Sequence, residues 1–273
     1  MLWNALRAAT AILAILFVTL AQVSPGRTPL KPAKINSVPF KIGETLTYEV
    51  SFSKLIFSGT IGELKLSVSN PSEVLKTPML ELKAEAVSKG FFPALFGVKV
   101  RDRYITLVDA NDFGIHSSIK LLEEGRVRRE QKSIIDREAG RVTFTDRDLA
   151  LEKSEPRIKE KASPTWIQDL LSTIYYVRTR PLKEGDVIPI PISDGGEIYN
   201  IEVIAGKREE LKVGSTKISA IQLNAKVFDG RYLKRSGEML VWITDDDRRI
   251  PVRARVKTSG YTITVDLKNF PAA

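Results

Sequence analysis

Cysteine is absent from the 273-residue sequence, and histidine occurs once, at His116. The missing cysteine excludes disulfide bonds, a thiolate nucleophile, cysteine-ligated metals and lipid attachment through an N-terminal cysteine. The single imidazole excludes a metal site built from several histidines, and no G-x-S-x-G turn supports a serine-histidine-acid triad around it. The composition therefore predicts no metal and no cofactor, and it disfavours an enzyme.

Long uncharged runs are also scarce, and the clearest is the stretch of fourteen residues Ala8–Ala21, which follows Arg7. It suits the hydrophobic region of a secretory signal and falls short of the roughly 20 residues that span a bilayer. We expect residues 1–21 to be a signal peptide cleaved after Ala21, with retention as an N-terminal anchor as the alternative. Residues 22–39 contain four prolines and are predicted to be an extended linker. The predicted location is the periplasm or cell envelope.

The formal charge of +9 makes the chain moderately basic. The basic residues between Arg126 and Arg141 alternate with acidic ones, and no aromatic side chain lies among them, which argues against nucleic-acid binding. An exported basic protein is more suited to anionic lipid headgroups or another envelope component, including contact with a membrane surface. The alternative is a solubilising excess of charge without a partner.

From Phe40 onward, apolar residues recur with a period of two, which is typical of strands with one face in a core and the other in water. Leu46, Tyr48, Val50 and Phe52 alternate with polar residues, and similar runs continue to Leu267. The connections are too short for helical crossovers, so neighbouring strands should be antiparallel. The sequence predicts one mainly β domain over residues 40–270, with a large curved antiparallel sheet or partly closed β-barrel of about 12 strands.

Residues 163–180 break this pattern, because their apolar residues recur at steps of three and four. Ser163 can cap a first helical turn, Pro164 suits the first helical position, and Pro181 follows the end. We predict one long α-helix over about 163–180, packed on the sheet across one opening of the barrel.

Two stretches are candidate ligand or partner surfaces. Residues 90–97 are apolar and contain Phe91, Phe92 and Phe96, which would form the lip of a pocket, touch a membrane, or fold back as a plug. The alternating residues Arg253, Arg255 and Lys257 place three positive charges on the polar face of one strand. They would contact an anionic headgroup or keep an edge strand soluble.

Two further motifs are interpreted as structural. Alternation in the strand around His116 predicts that Ile115 and Ile119 share one face, while His116 and Ser118 face solvent. The acidic run 245–247 precedes two arginines and lacks the spacing of a calcium-binding loop, so a hairpin turn is predicted there.

Several short motifs, in their order and spacing, resemble the uncharacterised bacterial cell-envelope family known as domain-of-unknown-function family 3108. They are the opening strand Pro39–Tyr48, the helical segment Asp169–Arg178, the turn at Gly185, and the hairpin that joins Leu240–Asp246 to Arg249–Val252. The resemblance implies an exported β-rich domain. It brings no activity and no catalytic residues.

These observations predict a non-enzymatic, exported cell-envelope protein that binds an apolar or amphiphilic ligand, such as a lipid, within a curved sheet. The alternative is a structural or adaptor module that acts through surface contacts. A hydrolase of envelope material is less favoured.

Overall fold

The computed structural model describes residues 38–55, 57–71, 78–90, 97–227 and 237–270. The predicted signal peptide and residues 22–37 of the predicted linker lie outside this range. So do Phe91, Phe92 and Phe96, three of the candidate surface residues.

The described residues form fourteen strands and one α-helix, with eight strands before the helix and six after it. The helix α1 spans Leu170–Arg178. The strands are β1 Thr45–Lys54, β2 Phe57–Ser69, β3 Met79–Ser88, β4 Arg101–Asp109, β5 Ile115–Glu124, β6 Val127–Asp136, β7 Arg141–Asp148, β8 Arg157–Ala162, β9 Val187–Asp194, β10 Glu197–Val213, β11 Thr216–Ala225, β12 Gly237–Thr244, β13 Pro251–Thr258 and β14 Thr262–Leu267.

All fourteen strands belong to one sheet, in the order β8-β7-β6-β5-β4-β3-β2-β1-β14-β13-β12-β11-β10-β9. Strands that follow each other along the chain are neighbours in the sheet, except for β8 and β9, which form its two edges. The first strand pairs with the last, and every strand pair is antiparallel. Within the described residues β8 and β9 do not pair, so the curved sheet is not closed. The predicted fold class is confirmed, with two strands more than expected.

The two-residue alternation buries one face of the sheet, as predicted. Leu46, Leu82, Val252 and Ile263 come from four different strands, and each is at most 2% exposed. Leu46, Leu82 and Val252 belong to the main hydrophobic core, and Ile263 belongs to a smaller cluster with Val50 and Phe52.

Irregularities in strand pairing help to curve this sheet. The register shifts after Val50 in β1, where Ile61 is the extra residue of β2, and similar shifts occur between β4 and β5, between β10 and β11, and between β12 and β13. Each extra residue bends its strand and increases the local twist. At the first site Gly62 is required, because a Cβ there would lie 2.9 Å from the carbonyl oxygen of Val87.

The helix is shorter than predicted and begins seven residues later than Ser163. Asp169 is the N-cap, since its side chain accepts a hydrogen bond from the backbone N–H of Ser172 at 2.7 Å. The residues before it are extended: the N–H of Gln168 donates to the carbonyl of Pro191, and the N–H of Ile115 donates to the carbonyl of Ile167. The apolar periodicity was correct from Leu170 onward, but the preceding apolar residues lie between β9 and the start of β5.

Arg178 fixes the last turn of α1 to one end of the sheet. Its side chain is completely buried and makes a bidentate ion pair with Glu44, at 2.6 and 2.9 Å, while it also donates to the carbonyl of Arg248. Phe40 and Tyr175 flank the guanidinium, with ring centroids 5.0 and 5.5 Å away. Glu44 precedes β1 and Arg248 precedes β13, so α1 covers the end of the curved sheet where these strands begin. No helix among the described residues combines the length and the apolar character needed to cross a bilayer.

Candidate functional site

A cavity of about 250 Å³ lies between α1 and the concave face of the sheet. Ligand sites for small molecules usually occupy roughly 300–1,000 Å³, so this cavity is slightly smaller than the usual lower limit. A water molecule takes up about 30 Å³ of the liquid, which gives the cavity room for about eight waters or for an apolar group of similar bulk.

Most of the cavity wall is apolar and comes from the second half of the chain. Strands β10 to β14, β2 and α1 contribute aliphatic side chains, among them Leu66, Leu171, Ile174, Val177, Ile201, Val203, Leu223, Val241, Ile243, Val256, Ile263 and Val265. Ile174, Met239 and Val265 are only partly buried, so the cavity is not sealed from solvent.

The opposite wall, on β4 and β5, is polar. Strand register pairs Tyr104 with Lys120 and Thr106 with Ser118, and all four side chains line the cavity. On β6 the rows continue with Gln131 beside Lys120 and Ser133 beside Ser118, and both of these are buried. We call Tyr104, Thr106, Ser118 and Lys120 the polar wall.

The polar wall corrects the prediction that Ser118 faces solvent. Leu107 pairs with Ser117 and Val108 pairs with Ile115, so His116 is the extra residue of a bulge. A bulge shifts the alternation of side chains by one position. Ile115 therefore faces the interior before the bulge, and Ser118 and Lys120 face it afterwards. The sequence around His116 contains no signal for this shift in side-chain alternation.

Two members of the polar wall have partners from other elements. The hydroxyl of Thr106 donates to the Asp169 carboxylate at 2.6 Å, which joins β4 to the N-cap of α1. The ammonium of Lys120 forms a buried ion pair with Asp194 at the end of β9 and lies 5.7 Å from the centre of the Tyr104 ring. These contacts hold the polar wall against α1 on one side and β9 on the other.

Tyr104 differs from these two residues. It is 6% exposed, and its hydroxyl has no hydrogen-bond partner among the described residues. Burial raises the pKa of Tyr104, and the negative charges of Asp102, Asp194 and Glu124 raise it further. The hydroxyl therefore keeps its proton and is itself enclosed, although the residue lines the cavity.

A second group with a raised pKa, the carboxyl group of Asp102, lies two residues before Tyr104 on β4. Asp102 is completely buried and accepts a hydrogen bond from the backbone N–H of Glu123 at 2.9 Å. Burial raises the pKa of Asp102 to about 7, and the neighbouring Glu124 charge contributes in the same direction. Asp102 shares the inward face with Tyr104 but is absent from the cavity lining.

The predicted basic row lies on the outer face of β13, away from the cavity. Arg253 is paired with Asp266 on β14, and the guanidinium of Arg255 lies 5.0 Å from the centre of the Trp242 ring, while Lys257 is exposed. Since β13 lies between β12 and β14, the alternative that this row protects an edge strand is wrong.

The hairpin turn that was predicted at the acidic run is present and joins β12 to β13. Asp246 accepts hydrogen bonds from the backbone N–H groups of Arg248 and Arg249, which forms the turn before β13. His116 is partly buried beside Asp109 and Arg137, and burial lowers its pKa. The described part of the chain contains no group of three or more histidine and carboxylate side chains that could hold a metal ion.

Comparisons with solved structures give the following matches. The crystal structure of a β-barrel-like protein of domain of unknown function DUF1849 from Brucella abortus matches with a TM-score of 0.54 and 9% sequence identity, over 83% of this chain and 95% of that one. A protein with a YmcC-like fold from Bacteroides fragilis matches with a TM-score of 0.32 and 11% identity, over 86% of this chain and 98% of its own. At such identity the Brucella protein shows a shared fold alone.

No curated protein matches the sequence at a significant level. The family resemblance of the sequence motifs is confirmed, because a family model covers nearly the whole described sheet. The model of the protein family of unknown function DUF3108 matches residues 47–268, and the chain belongs to this family.

Proposed function

We propose that this protein is an exported, non-enzymatic binding protein that holds an apolar or amphiphilic ligand in the cavity under α1. The observation that carries the proposal is the combination of an aliphatic wall from β10 to β14 with the polar wall on β4 and β5. Ligand sites are commonly concave and mostly apolar, with a few polar groups that fix orientation. The export part of the proposal rests on the signal-like sequence of residues 1–21.

The walls of the cavity are suited to hold a flexible chain. Side chains from β2 and from β10 to β14 approach from one curved surface, and Leu171, Ile174 and Val177 approach from α1. Burying an alkyl chain there is favourable by about 0.8 kcal/mol for each methylene group. The binding energy would therefore grow with chain length until the cavity is filled.

Displacement of Nile red, a dye whose fluorescence rises in apolar surroundings, tests this proposal. Decane and decanol should displace the dye from the purified protein. The variant Ala84→Phe should lose dye binding, because Ala84 lines the cavity between Leu66 and Tyr104 and a larger side chain there occupies the space.

The matched control is Glu85→Phe, which places the same new side chain on the outer face, since Glu85 is exposed and adjacent to Ala84. It should bind the dye as the unchanged protein does. Equal binding in both variants, or no displacement by either ligand, would overturn the proposal.

A second candidate function, action through surface contacts, is favoured by the turn between β1 and β2. Leu55 is 95% exposed and Phe57 is 61% exposed, although the side chains of these types are usually buried. Exposed basic residues Lys54 and Lys257 lie at the same end of the sheet, because Ser53 pairs with Thr262 and Lys257 pairs with Thr262. The exposed apolar side chains of this turn and the flanking lysines are suited to contact a membrane surface with anionic lipids.

Co-sedimentation with phosphatidylglycerol vesicles tests this second function. The double variant Leu55→Ser, Phe57→Ser should lose vesicle binding while Nile red binding stays unchanged. Leu149→Ser is the matched control, since Leu149 is also exposed but follows β7. Retained vesicle binding by the double variant would exclude the turn as the contact.

A further inference from the structure

We propose that the ligand passes directly between the cavity and a membrane at one end of the sheet, and that the turn between β1 and β2 docks this end on a bilayer with anionic lipids. We call it the exchange end; β1 and β13 end there, and β2 and β14 begin there. The inference rests on the proposed function, and it adds the partner and the route of ligand exchange.

The first argument is the position of the cavity along the strands. Its lining includes Ile263 of β14, Val256 of β13 and Met239 of β12, which lie side by side because Val256 pairs with both of the others. Ile263 also pairs with Phe52, which precedes Leu55 by three residues. A strand rises about 3.3 Å per residue, so the lining comes within about 10 Å of the turn along β1.

The second argument is the difference between the two ends of the cavity. At the opposite end the lining residues Leu66 and Ile243 are buried, and Arg178 fixes the last turn of α1 there. At the exchange end Ile263 is buried, but Met239 is only partly buried, and the flexible side chain of a methionine can move aside. A ligand therefore passes the exchange end with less rearrangement of the described residues.

The third argument is the identity of the residues in the turn. Lys54 pairs with Phe57, so Leu55 is the first residue of a two-residue hairpin turn, and its φ is 50°. Glycine and asparagine adopt a positive φ readily in such turns, whereas a bulky apolar residue is strained there. Leu55 is nevertheless 95% exposed, and Phe57 is 61% exposed. Neither side chain is buried in the described fold, so contact with an apolar partner explains both.

The fourth argument is the charge at the exchange end, which favours a membrane with anionic lipids. Exposed lysines at this end include Lys54, Lys99, Lys226 and Lys257. Glu202 and Glu238 are exposed there as well and offset part of this charge. The remaining positive charge attracts anionic headgroups, while the hydrocarbon region accepts the apolar side chains of the turn. One partner thus satisfies both features.

The test follows Nile red from the loaded protein into phosphatidylglycerol vesicles that contain a nitroxide-labelled lipid, which quenches the dye on arrival. Transfer during contact with the membrane predicts a rate that rises in proportion to vesicle concentration. Transfer through water predicts a rate that does not depend on vesicle concentration. The unchanged protein should show the proportional rate, and phosphatidylcholine vesicles should lower it by roughly tenfold.

The double variant Leu55→Ser, Phe57→Ser should bind Nile red with unchanged affinity but transfer it roughly tenfold more slowly. Its rate should no longer depend on vesicle concentration. Ile42→Ser is the matched control, because Ile42 is 60% exposed, like Phe57, but precedes β1 at the opposite end of the sheet. It should transfer the dye as the unchanged protein does.

Leu55→Asn separates docking from a structural role of the turn. It should transfer the dye more slowly than the unchanged protein and should unfold at the same temperature or at a higher one, because asparagine suits the positive φ of this position. A lower unfolding temperature would assign Leu55 to the stability of the turn and would overturn its docking role.

The outcomes separate this inference from the proposed function. If the unchanged protein binds the dye but transfers it at a rate independent of vesicle concentration, the inference is overturned and the cavity function stays intact. Equal loss of transfer in Ile42→Ser and in the double variant also overturns the inference. Failure of the unchanged protein to bind Nile red overturns both proposals.

Discussion

Replacing Arg178 tests how the last turn of α1, which covers the cavity, is fixed to the sheet. Its guanidinium is completely buried, pairs with both carboxylate oxygens of Glu44, and donates to the carbonyl of Arg248. The variant Arg178→Leu leaves the Glu44 carboxylate, which is 8% exposed, without its partner. Breaking one side of such a pair costs about 3–5 kcal/mol, because an unpaired charge remains buried.

The double variant Arg178→Leu, Glu44→Leu removes both charges and should therefore cost less than Arg178→Leu alone. It still leaves the Arg248 carbonyl without its two donors, which costs about 1–3 kcal/mol. The two single changes are thus expected to be non-additive, with a coupling free energy of about 2 kcal/mol or more. Arg180→Leu is the control, since Arg180 is only partly buried on the same end of α1, and it should cost about 1 kcal/mol or less.

Urea unfolding at pH 7 gives these free energies, provided that the dependence on denaturant is the same for every variant. A loss below about 1 kcal/mol for Arg178→Leu, or additive effects in the double variant, would refute the reasoning, because the ion pair would then not fix α1 to the sheet.

Three further predictions concern stability. Burial raises the pKa of Asp102 to about 7, so the folded protein holds a proton that the unfolded chain releases near pH ~4. The free energy of unfolding should therefore fall as the pH rises from about 4 to about 7. Asp102→Asn should weaken this dependence in urea unfolding and stabilise the protein at pH 8 by on the order of a few kcal/mol, while the raised pKa of the neighbouring Glu124 keeps part of the dependence. An unchanged pH profile would contradict this prediction. Asp169→Ala should cost about 2 kcal/mol by thermal unfolding, because it removes the N-cap of α1 and the acceptor of Thr106, whereas Asp169→Asn keeps a capping side chain and should cost less. Gly196→Ala should cost about 1–2 kcal/mol more than Gly195→Ala in the same assay. Both glycines have a positive φ, but only at Gly196 would a Cβ meet the Phe144 ring, at 2.9 Å. Equal costs would contradict the packing of β7 against the β9–β10 turn.

The strand pattern was sufficient to predict most strands of the sheet and the apolar residues of its interior. Residues such as Leu46 and Leu82 alternate with polar neighbours. A period of two with short turns indicates antiparallel strands that have one buried face. The pairing of β1 with β14 involves residues about two hundred positions apart, for which local alternation contains no information.

The start of α1 was predicted too early because apolar spacing does not distinguish a helix from an extended segment buried on several sides. Trp166 and Ile167 fit a helical stripe, but both are buried in an extended segment beside β5. The indole N–H of Trp166 donates to the carbonyl of Asp112, and the carbonyl of Ile167 accepts from the N–H of Ile115. Asp169 and Ser172 have the spacing of a capping box, and this signal would have placed the boundary correctly.

The polar wall could not be predicted from the sequence. Lys120 reads as an exposed strand residue, and its burial depends on the bulge at His116 and on Asp194 from a strand in the other half of the chain. Tyr104 was likewise not a candidate, because an unpaired hydroxyl becomes visible only when every neighbour is known.

The most direct test of the central claim, that the cavity under α1 holds an apolar or amphiphilic ligand, is native mass spectrometry of the protein purified under gentle conditions from the cells that produce it. The account predicts a bound species with the mass of an apolar or amphiphilic small molecule, present on the unchanged protein and absent from Ala84→Phe. Bare protein in both samples, or the same adduct on both, would contradict it.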